Sequence, residues 1–131
     1  MTRYLIDSWA WMEYLNGSSA GRRVKEEIED DSNEIFTHVV SLAEIASKVK
    51  RRGRDVEVAW NAVKTNSKIS YVDEYDSKKA GLLHAKTKST IPNFSLGDAF
   101  VLAAARELEA KVLTGDPDFE TIGGVVLLKT G

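Results

Sequence analysis

At 131 residues and 14.5 kDa, the chain is long enough for one compact domain with its own core and too short for two ordinary ones. Its 18 basic and 20 acidic side chains give a formal net charge of -2, which excludes a global pull toward nucleic acid and leaves only a local patch for that task. The absence of cysteine excludes disulfides, zinc-thiolate sites and thiol nucleophiles, and no apolar run approaches the roughly 20 residues that span a bilayer.

Arg3 and Asp7 interrupt the first apolar stretch, so no signal-peptide pattern is read and a cytoplasmic protein is expected. That stretch, RYLI at 3–6, predicts a buried strand. Ser8 is then expected to cap a helix to about Leu15, with Trp9, Met12 and Leu15 on one face and Asn16-Gly17 stopping it. A second amphipathic stretch runs from about Ala20 to Glu29. EIFTHVV, 34–40, is rich in the β-branched and aromatic types that strands favour.

The next helix is expected to open at Ser41 and to end near Gly53, because Leu42, Ile45, Ala46 and Val49 form one apolar stripe. Asp55 opens another to about Thr65, KISYV (68–72) reads as a strand, and a helix follows from about Asp73 to Lys88. After Ile91-Pro92-Asn93, Ser95 caps a long helix to about Ala110. KVLT (111–114) and VVLL (125–128, after Gly123-Gly124) complete the strands. Buried strands alternating with helices predict a single-domain parallel α/β sheet with right-handed crossovers.

In such a sheet, ligands bind beyond the carboxyl ends of the strands. Asp7 follows the first strand, and Asp116 follows the strand ending at Thr114. Glu44 and Asp98 are expected in the first turns of the helices opened by Ser41 and Ser95. Taken singly, Ser41-Leu-Ala-Glu44 reads as a capping box, Ser95-Leu-Gly-Asp98 as an imperfect one, and TGDPDF (114–119) as a turn. Taken together, four carboxylates at one edge repel one another and cost stability unless a cation neutralises them. An all-oxygen donor set points to Mg²⁺ or Mn²⁺ rather than zinc.

YLIDSW near the N-terminus, Glu44 in SLAEI, SLGDAFVLAAA at 95–105 and TGDPDF at 114–119 together resemble the PIN domain, particularly the VapC-type toxins. The resemblance runs the length of the chain and is most specific in TGDPDF and in the AAA-containing helix led by Asp98. It implies a Rossmann-like (PIN-like) fold and a Mg²⁺- or Mn²⁺-dependent endoribonuclease whose products carry a 5′-phosphate and a 3′-hydroxyl. By the same resemblance Asp7, Glu44, Asp98 and Asp116 match the acidic quartet that holds metal, Asp118 matches an additional acid, and Ser8 and Thr114 match hydroxyls bordering the pocket. A homodimer and an antitoxin protein covering the acidic pocket are also implied. Gly97, directly before Asp98, leaves room for a close approach.

Lys48, Lys50, Arg51, Arg52 and Arg54 cluster after Glu44 and are candidates for contact with the RNA backbone; a solvated helix end is the competing reading, as it is for Lys78, Lys79, Lys86 and Lys88. Trp9 and Trp11 read as packing residues, His38 and His84 as non-catalytic, and Phe119 as the anchor of the acidic turn. Two other functions compete. One is a PIN-like RNA- or protein-binding module without catalysis, which a broken quartet would indicate. The other is a phosphoacceptor receiver domain, which wants an acid pair at the first strand and a lysine after a late one, whereas Lys111 begins its strand.

Overall fold

The computed structural model describes residues 1–129. The strands are β1 (Arg3–Ile6), β2 (Glu34–His38), β3 (Lys68–Ser70), β4 (Lys111–Thr114) and β5 (Val125–Leu127). The helices are α1 (Ser8–Asn16), α2 (Ser19–Glu29), α3 (Val39–Arg51), α4 (Val56–Asn66), α5 (Glu74–Lys88) and α6 (Leu96–Leu108), and Pro117–Phe119 forms a 3₁₀ turn. All four strand pairings are parallel, in the order β3-β2-β1-β4-β5. The predicted parallel α/β sheet is therefore the one observed.

Alternation along the strands divides the core. Tyr4 and Ile6 of β1 face the layer built by Trp11, Val24, Ile45 and Val63, whereas Leu5 faces Phe94, Leu102, Ala105 and Phe119 beneath α6. Both faces of β1 are covered, as a central parallel strand requires. Leu5, Ile6 and Leu113 are each fully buried, and burial of such a side chain contributes about 1.5–3 kcal/mol.

Three expectations at element ends are corrected. Asp7, not Ser8, caps α1: its Oδ1 accepts from Ala10 N–H at 2.9 Å. β2 stops at His38 rather than running to Val40, and α3 opens at Val39 with His38 as its cap, the Nδ1 accepting from Val40 N–H at 3.1 Å. Ser41 is thus inside the helix, fully buried, with no hydrogen bond to its Oγ among the described residues. No capping box joins it to Glu44, which sits in the second turn.

The shorter strands are shorter still. β3 keeps only Lys68–Ser70 of KISYV, and β5 ends at Leu127. α6 stops at Leu108 because Glu109 takes the left-handed conformation (φ 53°), a position that glycine usually marks. Among the described residues no helix is long and apolar enough to cross a membrane.

Candidate metal centre

The chain runs outward from β1 in two directions, to β2 and β3 on one side and to β4 and β5 on the other. The crevice at such a reversal, beyond the carboxyl ends of the strands, is the standard ligand position of an open α/β sheet. Asp7 leaves β1 there and Asp116 leaves β4. Their strands are hydrogen-bonded neighbours, and Asp7 N–H reaches Leu113 C=O at 3.3 Å.

Each of three acids is oriented by a capping bond through one oxygen. Asp7 uses Oδ1 for Ala10 N–H. Asp98 uses Oδ2 for Ser95 N–H at 3.0 Å while its own N–H donates to Ser95 Oγ, also at 3.0 Å, which makes the predicted imperfect box a reciprocal one. Asp116 uses Oδ1 for Asp118 N–H at 2.9 Å and receives order from Thr114, whose Oγ1 accepts from Asp116 N–H at 3.0 Å. For Asp98 and Asp116 capping and ligation are therefore compatible, because the cap fixes the rotamer and occupies only one carboxylate oxygen. The N-termini of α1 and α6 add positive potential that favours ionised carboxylates.

Carboxylate oxygens of Asp98, Asp116 and Asp118 all lie within 4.8 Å of one another. Phe119 is fully buried edge-on against Phe94 at 5.5 Å and anchors the turn that carries Asp116 and Asp118, as expected.

Asp7 is 5% exposed, and burial pushes its carboxyl up to about 7. Asp98 and Asp116 push in the same direction, while hydrogen bonds from Thr114 and from Ala10 N–H oppose it. Burial likewise raises Asp98, reinforced by Asp116 and Asp118 and opposed by Ser95. Glu44 is raised by burial and by Asp98 and is lowered by Lys48 and by a hydrogen bond with Ser8. These mutual effects place Asp7, Glu44, Asp98, Asp116 and Asp118 in one electrostatic neighbourhood. A cluster of one buried and four half-buried carboxylates, with Asp7, Glu44 and Asp98 raised in pKa, fits a divalent cation with oxygen ligands.

Two glycines make the neighbourhood possible. A Cβ on Gly97 would lie 2.8 Å from Glu44 Oε2, so the bare backbone of α6 is what admits Glu44 beside Asp98. A Cβ on Gly115 would lie 2.2 Å from Trp9 Cη2, so the indole packs flush on the link between Thr114 and Asp116. Trp11 is buried and donates its Nε1–H to Thr37 Oγ1 at 2.9 Å, a core role.

The basic candidates separate. Lys48 is half-buried and its Nζ donates to Ser8 Oγ at 3.4 Å, and together with Arg51 it lines a surface cleft with Glu44. Lys50 and Arg52 are exposed, and Arg54 turns away to bond Asn16 Oδ1. Sequence reasoning singled out neither the contact of Lys48 with Ser8 nor the place of Trp9 over Gly115. The i, i+4 spacing of Glu44 and Lys48 was the available signal for the first.

A structure described as a toxin-antitoxin complex from Klebsiella pneumoniae is similar at a TM-score of 0.74 and 20% identity, covering 94% of this chain and 95% of that one. Mycobacterium tuberculosis VapC20, described as a sarcin-ricin loop cleaving toxin, is similar at a TM-score of 0.77 and 20% identity over 96% of this chain and 99% of that one. VapBC2 from Rickettsia felis, bound to a DNA fragment from its promoter, gives a TM-score of 0.70 at 15% identity, with 96% and 97% coverage. No curated protein matches the chain by sequence. The family model of the PIN domain matches residues 4–125, and the chain belongs to that family.

Proposed function

We propose that the protein is a Mg²⁺- or Mn²⁺-dependent endoribonuclease that hydrolyses RNA phosphodiester bonds and serves as the toxin of a toxin-antitoxin pair. The observation that carries this reading is the convergence of Asp98, Asp116 and Asp118 within 4.8 Å beside the buried Asp7 and the half-buried Glu44. When bound, a divalent cation supplies Lewis acidity toward a phosphodiester and acidifies water at neutral pH. The protein's own contribution is placement. Asp98, Asp116 and Asp118 offer ligand oxygens from two capped turns, Glu44 closes the wall at Gly97, and Asp7 lies at the floor where Thr114 and Ala10 N–H hold its rotamer. Lys48 and Arg51, beside Glu44, supply cations to phosphate oxygens of the RNA at the mouth.

An antitoxin partner is supported by the Klebsiella pneumoniae structure, described as a toxin-antitoxin complex. A homodimer and a cytoplasmic location complete the reading. A non-catalytic PIN-like binding module would need a broken acidic set, and all five acids are present here.

The test is cleavage of a mixed cellular RNA pool by wild type and by Asp98→Asn, with Mn²⁺ or Mg²⁺ and with EDTA. Cleavage that requires both metal and Asp98 is expected. Metal binding with no cleavage by wild type at any RNA concentration would instead favour the binding module.

A further inference from the structure

A second recess opens at the same edge of the sheet, on the α6 side. It measures about 220 Å³ and is lined by His38, Tyr71, Phe100 and the aliphatic stripe of α6, with Asp76, Lys79 and Glu107 at its rim. This is smaller than the roughly 300–1,000 Å³ of pockets for drug-sized ligands and suits one planar ring system.

Strand register fixes its position relative to the acids. Arg3, Tyr4 and Leu5 of β1 pair with Glu34, Ile35 and Phe36 of β2, and the same register carried past the end of β1 leads Asp7 toward the position of His38 on the neighbouring strand. Leu5 and Phe36 both pack beneath α6, and alternation returns Asp7 and His38 to that same face. Phe100 lies two residues beyond Asp98 on α6, and its ring is 5.7 Å from that of His38. The recess therefore lies at the same carboxyl edge of the sheet as the acids, one strand over from Asp7 and along α6 from Asp98.

Part of its hydrogen-bonding capacity is already engaged, which leaves His38 and Ser70 among the polar groups that line it. Lys79 is bound to Glu107 at 2.6 Å, and Asp76 is held in a reciprocal cap with Asp73. His38, 2% exposed, accepts from Val40 N–H through Nδ1, which places its ring proton on Nε2, and that nitrogen makes no hydrogen bond among the described residues. Tyr71, by contrast, is 74% exposed at the entrance and offers an open aromatic face.

We propose that this recess is a nucleobase site: a base of the RNA adjacent to the scissile phosphate stacks on Phe100 and Tyr71 while a carbonyl oxygen or ring nitrogen on its edge accepts the Nε2–H of His38. The inference rests on the nuclease reading for the identity of the ligand. Aromatic side chains recognise single-stranded RNA in this way because every base has a π-face, and a donor at the base edge adds selectivity. The site would make the protein a reader of the nucleotide beside the cut, with the acids supplying only the position of the cut.

The experiment uses labelled oligoadenylate and oligouridylate, each intact and with one central abasic nucleotide. Binding is measured in EDTA and cleavage in Mn²⁺, for wild type, Tyr71→Ala and Phe100→Ala. Wild type is expected to lose about tenfold in affinity when the base is removed, the scale of one stacked base. Both variants should bind intact RNA about tenfold more weakly and no longer sense the missing base. Tyr71→Ala keeps the test open if Phe100→Ala fails to fold, since so exposed a side chain contributes little to the core. Variants that bind and cleave intact and abasic RNA as wild type does would overturn the proposal, as would absence of RNA binding. Competition by adenosine or uridine monophosphate at the affinity of the RNA itself would reassign the recess to a free nucleotide and also overturn it. Base-dependent binding that the variants abolish, without any Mn²⁺-dependent cleavage, would retain the base site and remove the nuclease reading.

Discussion

The Oε2 of Glu44 lies where a Cβ on Gly97 would come within 2.8 Å, so one hydrogen in place of a methyl group decides whether α3 can deliver its carboxylate to the start of α6. Gly97→Ala separates fold from site. Alanine gains up to about 1 kcal/mol over glycine in helix propensity, and the atom it displaces is the end of a flexible side chain. The variant should melt at or slightly above the wild-type temperature and yet show a weaker Mn²⁺-induced rise in Tm and at least tenfold slower RNA cleavage. Wild-type cleavage by a normally folded Gly97→Ala would remove Glu44 from the site.

Asp7 gives the site a pH signature. Its carboxyl is raised from the model-compound value of 3.8 to about 7, so between those two pH values the folded state holds a proton that the unfolded chain has lost. Stability from this group is fully present below pH 3.8 and is lost as pH rises toward 7, amounting to at most about 4 kcal/mol. In EDTA, Asp7→Asn should therefore raise Tm by several degrees at pH 8 and by little at pH 4, since asparagine keeps the cap on Ala10 without the buried charge. Mn²⁺ should raise the Tm of wild type at pH 8 and leave the variant nearly unmoved. A variant less stable than wild type at pH 8 in EDTA would contradict the burial argument.

The alternation of buried strands and helices, and the arrival of Asp7, Asp98 and Asp116 at one edge, were legible because both depend on local pattern and on a general property of parallel sheets. Element ends were less so. Val39 and Val40 extend a β-branched run, yet they begin α3, because His38 caps the helix with a ring nitrogen that sequence rules do not count among cap acceptors. Glu109 ends α6 in a left-handed conformation with no glycine to announce it. The recess beside His38 depends on the pairing of β1 with β2 and on the hairpin of α5 and α6, none of which is written locally. A histidine read in isolation offered no ligand spacing, and only the strand order sets it one strand from the end of β1 that leads into Asp7.

Gly115 provides the contrasting test to Gly97. Its Cβ would meet the indole of Trp9 at 2.2 Å, and a rigid ring packed on the core cannot yield as a glutamate tip can. Gly115→Ala should cost about 1–3 kcal/mol from overpacking and shift the segment between Thr114 and Asp116. A fall in Tm of several degrees, measured without metal, is the expected result; cleavage should fall with it. If Trp9→Ala is combined with Gly115→Ala, much of the added loss should disappear, because the clash then has no partner.

Lys48 and Arg52 belong to one basic cluster in the sequence but to different surroundings in the fold. Lys48 reaches Ser8 at 3.4 Å and lowers the pKa of Glu44, whereas Arg52 is exposed at the end of α3. A cation beside the acids acts where phosphate charge builds; one at a helix end acts only through the field it casts on the RNA. Lys48→Ala should therefore reduce kcat by tenfold or more at saturating RNA with little change in Tm. Arg52→Ala should leave kcat intact, and if it touches a phosphate, it should weaken binding and lower the salt slope by about 0.7 for single-stranded RNA. Equal, purely binding-level losses in the two variants would place Lys48 with the solvated end of the helix and leave phosphate contact within the cleft to Arg51.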